Sequence, residues 1–278
     1  MKSEIIGLTD WLNTPPGGYL LAWEHSHFDL AVSDIFGYHA LQLGFPELDA
    51  LQANRMPHKW LALSSTGLQN LPLPSRDIRE HRTEPESISS PRAALYTDSA
   101  ALPFPESSLD LVALPHTLEL GSDPHSALRE VARVLVPEGR VVISGFNPAS
   151  LWGMRQRRDH LCQRFGRKGL FLPDAGEYIG YWRLRDWLRL LDFEVESAQF
   201  GCYRPALNSQ KWLDRFDWMD HAGKRWWPIF GAVYFLVAVK HVRGMRLLEP
   251  AWKSRRSPVA APAIVASKKP ASCVKISG

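Results

Sequence analysis

Few of the residues that could carry metal or thiol chemistry are spaced for it. Cys162, Cys202 and Cys273 are odd in number and far apart, which suits neither a disulfide framework nor a metal-ligand pattern. His25 and His27 stand two apart in a segment of helical periodicity, so they face different directions and make no metal pair. Gly17-Gly18 follows two prolines and reads as a turn, not a phosphate loop. A basic run, RQRRDHLCQRFGRK from Arg155 to Lys168, holds six basic residues and one acid. It reads either as a surface facing an acidic substrate or as the wet side of a helix with Leu161 and Phe165 turned inward.

The elements that must position such residues alternate in type. In residues 19–35, Leu21, Phe28, Ala31, Val32 and Ile35 form one helical stripe with Gly37 as its stop. YHALQLG (38–44) reads as a buried strand, PELDALQANRM as a helix starting near Pro46, and KWLAL (59–63) as a second strand. Residues 64–91 are dense in Pro, Ser, Arg and Glu without a clear period. RAALYT (92–97) and LDLVALP (109–115) are strands. A helix follows, capped by Ser122 or Asp123, with Leu128, Val131, Ala132 and Leu135 inward. Pro137-Glu138-Gly139 turns the chain into the β-branched strand RVVISGF. YWRLRDWLRLLDF predicts a helix burying Leu184, Trp187, Leu188 and Leu191. FEVESAQF (193–200) and GAVYFLVAVKHV (231–242) close the sheet as a strand pair giving an antiparallel edge. The block between them, Trp212, Phe216, Trp218, Trp226 and Trp227, is assigned to packing or a lid. Strands alternating with helices imply right-handed crossovers and a mostly parallel sheet.

Composition bounds the function. With 278 residues, 45% hydrophobic and 22% charged, the chain can bury a real core, and disorder of the whole is excluded. The net charge of +4 is local: residues 1–139 hold 9 basic and 18 acidic side chains, residues 140–250 hold 18 and 11, and residues 251–278 hold 6 and none. The last segment has no periodic face and reads as a disordered basic tail. No RNA-binding motif or zinc finger accompanies the basic patch, which argues against a nucleic-acid partner. The N-terminus lacks the apolar run of a secretory signal. The longest apolar stretch, Pro228 to Val239, falls well short of the ~20 residues of a membrane-spanning helix. A soluble protein in a reducing, cytoplasmic setting is expected.

The run DSAALPFPESSLDLVALPHTLELGSDPHSALREVARVLVPEGRVVIS from Asp98 to Ser144 resembles the second half of a class I S-adenosylmethionine-dependent methyltransferase of the type 11 group. Three pieces carry the resemblance: an Asp followed by LPFPESSLDLV, the strand-end PHTLE with DP and ALREVARVL, and PEGR leading into VVIS. It implies an α/β fold with a Rossmann-like seven-stranded sheet, mostly parallel with an antiparallel last strand and helices on both faces. The expected layout is a helical extension (1–37), a methyltransferase-like domain (38–250) and the tail (251–278).

The resemblance also implies site residues. Asp98 would accept from the adenine amino group while the N–H of Ser99 meets a ring nitrogen; otherwise Asp98 is a strand-end turn residue. Pro115 and His116 would stand near the reacting methyl group, where His116 is the candidate general base or a residue shaping the pocket. Gly44 matches the first glycine of the cofactor turn, but LQLGFPEL has Gln42 in place of the family's acid and Phe45, Pro46 and Glu47 in place of further glycines. Ser64 and Ser65 stand where a ribose-binding acid is usual. Phe146-Asn147-Pro148 follows the fifth strand, not the fourth, and is not the NPPY motif of amino-group methyltransferases. The implied cofactor is S-adenosylmethionine, the partner a small, anionic acceptor, and no metal is expected. The alternative from a different class is a pseudo-methyltransferase that binds a protein without catalysis.

Overall fold

The structure, a computed structural model, describes residues 11–64, 95–121, 123–163, 171–173, 176 and 178–241. The described residues all lie in one compact unit, Met1–Val242; the expected tail, Ser65 and Phe165 lie outside the described residues. The first helix therefore belongs to the same unit as the sheet.

Helix α1, Pro15–Ser33, starts with prolines in its first turn, where the missing N–H is no loss. Its buried stripe is Leu20, Glu24, Phe28 and Val32. Leu20 takes the place expected of Leu21, which is only partly buried, and the stripe includes a carboxylate. The helix stops at Ser33, before Gly37. Strand β1 (His39–Leu43) follows, its entry held by Asp110, whose Oδ2 accepts from the N–H groups of Tyr38 at 2.8 Å and His39 at 2.9 Å.

The expected helix after Pro46 is absent: residues 46–53 are turns. Gly44 and Phe45 both have positive φ, 69° and 51°, which points the chain away from a helical start. The backbone groups a helix would have paired are satisfied instead by a side chain described below. Strand β2 (His58–Ser64) runs parallel to β1, and β3 (Leu95–Thr97) parallel to β2. Strand β4 (Leu109–Pro115), helix α2 (Thr117–Leu120) and helix α3 (Pro124–Val134) come next. Asp123 caps α3, accepting from the backbone N–H of His125 and Ser126. Strand β5 is longer than expected, Leu135–Phe146. The Pro137-Glu138-Gly139 segment stays extended as an irregularity opposite Leu109/Leu111, with Glu138 at φ 63°.

Helix α4 (Leu151–Gln163) buries Trp152 and Gln156; Leu161, expected inward, is 59% exposed. Helix α5 (Tyr181–Leu190) buries Leu184 and Leu188 as expected. Strand β6 (Phe193–Gly201), short helices α6 (Gln210–Arg215) and α7 (Trp218–Trp226), a 3-10 turn at Pro228–Phe230 and strand β7 (Val233–Lys240) complete the unit. The order is β3-β2-β1-β4-β5-β7-β6. β7 pairs antiparallel with both β5 and β6, so the antiparallel strand lies one place in from the edge.

Alternation along each strand feeds two cores. Ala40, Leu111, Ala113, Val142 and Phe235 meet Leu20, Phe28 and Val32 of α1 and Trp152 of α4 on one face. Leu41, Val112, Leu114, Val141, Ile143 and Leu236 meet Leu128 and Val131 of α3 and Leu184 and Leu188 of α5 on the other.

Candidate functional site at the sheet's switch point

From β1 the strand order steps outward to β2 and β3; from β4 it steps the other way to β5. Crossovers that leave neighbouring strands in opposite directions open a crevice at their carboxyl ends, the usual ligand position of such sheets. Here it lies between the ends of β1 and β4. Gly44, Phe45 and His116 all adopt the left-handed conformation there, which carries roughly 1–2 kcal/mol of strain at each non-glycine residue. Thr117 Oγ1 donates to the Leu43 carbonyl, and a β-carbon on Gly44 would stand 3.5 Å from Thr117 Oγ1. The start of α2 is thus laid directly against the turn after β1.

Gln42 explains how that turn is held. It is buried, and its Nε2 donates to the carbonyls of Gly44 (3.3 Å), Phe45 (3.0 Å) and Leu48 (2.6 Å), while its Oε1 accepts from the N–H of Ala50 at 2.9 Å. One amide therefore organises residues 44–50. A carboxylate could only accept hydrogen bonds and could not bind the three carbonyls.

His116 lies inside the protein, 1% exposed. Its Nε2 stands 2.9 Å from Glu24 Oε1 of α1 and its Nδ1 3.0 Å from Glu119 Oε2 of α2. Glu119 Oε1 accepts from the N–H of Phe146 at 2.6 Å. Burial opposes charge on the imidazole, but the carboxylates of Glu24 and Glu119 outweigh it and raise the His116 pKa to about 10. Burial in turn pushes the Glu119 carboxyl up, against the stabilising His116 and the Phe146 amide. The Glu24–His116 contact is close but poorly aligned, and both Glu24 carboxylate oxygens are buried without a hydrogen-bond donor among the described residues. Phe45 and Phe146 flank the imidazole, ring centres 5.5 and 4.4 Å away. Sequence reasoning missed Glu24 because it read α1 as a purely apolar stripe; a lone carboxylate on that stripe is the signal that marks it.

Helix α1 is also tied at its first turns. The Tyr19 hydroxyl donates to Asp220 Oδ1 at 2.5 Å. Arg204 Nε donates to Asp220 Oδ2 at 2.9 Å, and its guanidinium lies 4.4 Å from the centre of the Tyr19 ring.

The remaining residues expected at the site sit at strand ends on the same rim. Ser64 closes β2 in register with Thr97 of β3. Asp98 follows β3, and its Oδ1 accepts from the N–H of Ala100 at 3.0 Å, the turn role considered for it; its side chain is exposed, so the carboxylate also faces solvent. Ser99 approaches α2, its Oγ 3.7 Å from where a β-carbon on Gly121 would stand. Pro115 ends β4 opposite Ser144. Gly44, Ser99, Pro115 and His116 are therefore gathered around α2, with Ser64 and Asp98 on the neighbouring strands. Among the described residues no group of three or more His, Cys, Asp or Glu is arranged to hold a metal ion, and no helix is long and apolar enough to cross a membrane.

Residues 68–143 match the family model described as "Methyltransferase domain". The chain is 34% identical over 175 residues to "Uncharacterized protein YafS" of Escherichia coli (strain K12), covering 62% of this chain and 65% of that protein. It is 41% identical over 58 residues to a malonyl-acyl-carrier-protein O-methyltransferase of Halorhodospira halophila, covering 21% of this chain and 20% of that protein. This chain thus spans less than two thirds of the length of either relative. Among solved structures it is similar to a chain of the "Complex between the Haloferax volcanii Trm112 methyltransferase activator and the putative methyltransferase", at 16% identity and a TM-score of 0.49, covering 87% of this chain and 99% of that one. The matching segment supplies β3, β4 and the helix after them in the seven-stranded sheet, and over these residues the chain is similar to a methyltransferase domain.

Proposed function

We propose that the protein transfers a methyl group from S-adenosylmethionine to a small-molecule acceptor of anionic character. The observation that carries this reading is the switch-point crevice itself, with the left-handed Gly44-Phe45 turn beside the end of β4, the exposed Asp98 carboxylate two strands away on the same rim, and a segment that matches the methyltransferase domain model.

The residues fit such a cofactor in type at both of its poles. Asp98 offers an acceptor for an exocyclic amine, with the Ser99 N–H beside it, and Ser64 offers a hydroxyl for a ribose. At the other pole, Glu24 and Glu119 enclose one imidazolium, so when all three groups are ionised the cluster holds a net negative charge. Glu24 Oε2, buried without a partner among the described residues, makes that environment favourable to a cationic group. Gly44 keeps the backbone open at the turn.

The chemistry the cofactor supplies when bound is a methyl group made electrophilic by a positively charged sulfur. What the chain does is position the acceptor and exclude water. Phe45 and Phe146 supply apolar walls. Both His116 nitrogens face carboxylates, and with its pKa near 10 the imidazole keeps its proton at neutral pH. In this reading it is a positioning residue that ties α1 to the crevice, and an acceptor must lose its proton to solvent or arrive without one. The exposed Arg157 and Arg158 of α4 supply the positive charge on the acceptor side.

Isothermal titration of the full chain with S-adenosylmethionine and S-adenosylhomocysteine tests the proposal. Saturable binding of both is expected; absence of binding at millimolar cofactor would leave the pseudo-methyltransferase reading in its place.

A further inference from the structure

Residues 224–230, Lys-Arg-Trp-Trp-Pro-Ile-Phe, are exposed without interruption. Trp226 is 74% exposed, Phe230 52% and Ile229 45%. Single exposed apolar side chains are ordinary, but five consecutive ones form a patch that soluble proteins keep only for binding. Of the two roles expected for the aromatic block, packing or a lid, this exposure is against packing: Trp212 and Trp218 on α6 and α7 are half exposed or more as well.

The backbone beneath the patch is firmly held. Asn147 Nδ2 donates to the carbonyls of Ile229 (2.7 Å) and Gly231 (2.9 Å), and the Tyr203 hydroxyl donates to that of Pro228 at 2.7 Å. The N–H of Trp227 reaches Gly223 and that of Phe230 reaches Trp227. The patch is therefore a rigid edge with its side chains turned out. Its position follows from β7, whose first residue, Val233, pairs with Phe146 at the carboxyl end of β5. The edge stands on the same end of the sheet as the crevice.

Charge selects the occupant. Lys224 and Arg225 precede the apolar run, and Lys211 and Arg215 are exposed on α6. Asp217 and Asp220 hold Arg204, and Asp214, which accepts from the neutral Gln210 amide and keeps its charge, is outnumbered by Lys211, Arg215, Lys224 and Arg225. The chemistry presented outward is cationic and aromatic, the combination that suits the headgroup layer of an anionic bilayer, where indoles place their N–H in the polar zone and their rings in the acyl boundary.

We propose that Lys224–Phe230 is a membrane-docking edge that seats Trp226, Ile229 and Phe230 in the interfacial layer and pairs Lys224 and Arg225 with anionic lipid phosphates. The proposal does not depend on methyl transfer. If both hold, the crevice opens toward the bilayer surface.

Co-sedimentation of the full chain with phosphatidylcholine vesicles, with and without phosphatidylglycerol, tests it. The wild-type chain is expected on the anionic vesicles. The triple variant Trp226→Ser, Ile229→Ser, Phe230→Ser should lose tenfold or more of its partitioning while remaining folded, because about half or more of each side chain removed is exposed. Lys224→Gln with Arg225→Gln should weaken it by about fivefold per charge removed. Hydrogen exchange should slow at 224–230 when vesicles are added. Wild-type partitioning by the triple variant would assign binding to the basic residues 251–278 and overturn the proposal. So would failure of the wild-type chain to bind anionic vesicles, or a lipid-independent dimer that the triple variant abolishes.

Discussion

Replacing Gln42 by glutamate would place an acid in the strand where the methyltransferases that the chain resembles usually carry one, and the structure predicts harm from the change. The amide Nε2 serves the carbonyls of Phe45 and Leu48 at 3.0 and 2.6 Å and that of Gly44 at 3.3 Å. The introduced carboxylate would turn that donor into an oxygen facing three oxygens inside a buried pocket. Two good hydrogen bonds lost at ~1–1.5 kcal/mol each, plus carbonyls left unsatisfied at ~1–3 kcal/mol, give a loss of about 3–5 kcal/mol after a protonated carboxyl recovers one bond. For a unit of this size that corresponds to roughly 6–20 °C in melting temperature. Thermal and guanidinium unfolding of Gln42→Glu beside wild type measures it, and the deficit should shrink in acid, where the carboxyl can donate. A variant as stable as wild type at pH 7, or one that binds S-adenosylmethionine more tightly, would show that Gln42 is a substituted ligand and not the clamp of the 44–50 turn.

The His116 cluster predicts a pH dependence of fixed sign. The folded pKa of about 10 lies above the ordinary 6.5, so the native state holds an extra proton between these values, and stability should fall as pH rises through that window by up to ~1.4 kcal/mol per unit. His116→Gln should flatten the slope in denaturant titrations and cost about 3–5 kcal/mol near neutrality by leaving buried carboxylates unpaired; an unchanged slope would assign it elsewhere. Asp98→Ala should leave the fold within ~1 kcal/mol of wild type while weakening cofactor binding roughly ten- to a hundred-fold by titration, whereas equal affinity would confine Asp98 to its turn. Phe28→Ala, which empties a fully buried site beside Phe235 with ring centres 4.9 Å apart, should cost ~3–5 kcal/mol in unfolding experiments.

What the sequence made legible is what short-range chemistry decides. The Asp123 cap and the stripe of α3, the buried strands β1, β4, β5 and β7 and the inward Leu184 and Leu188 depend on neighbours three or four residues away or on strand alternation. The misreadings share a different cause. Residues 46–53 carry helix-compatible side chains, but Gln42, reaching forward from the preceding strand, supplies hydrogen bonds that no local pattern announces. Leu161 has the spacing of an inward residue, yet α4 is rotated so that Trp152 and Gln156 face the core, because the Trp152 indole donates to the Arg204 carbonyl and Gln156 pairs with Leu172. At the site, motif order located Asp98 and His116 by position. The partner that defines His116, Glu24, lies on a helix distant in sequence and comes beside it only once α1 packs across the sheet.

Strand β6 forms one margin of the sheet, and its composition bears on how the molecule behaves in a crowded solution. Glu194 and Glu196 are 77% and 51% exposed in their side chains. The pairing with β7 shifts between Val195 and Ser197. His241 stands between Glu194 and Glu138, and Arg140 Nε lies 3.0 Å from Glu196. Charged side chains and an irregular register blunt an open strand against edge-to-edge growth. Aggregation by strand addition is thereby discouraged at this margin.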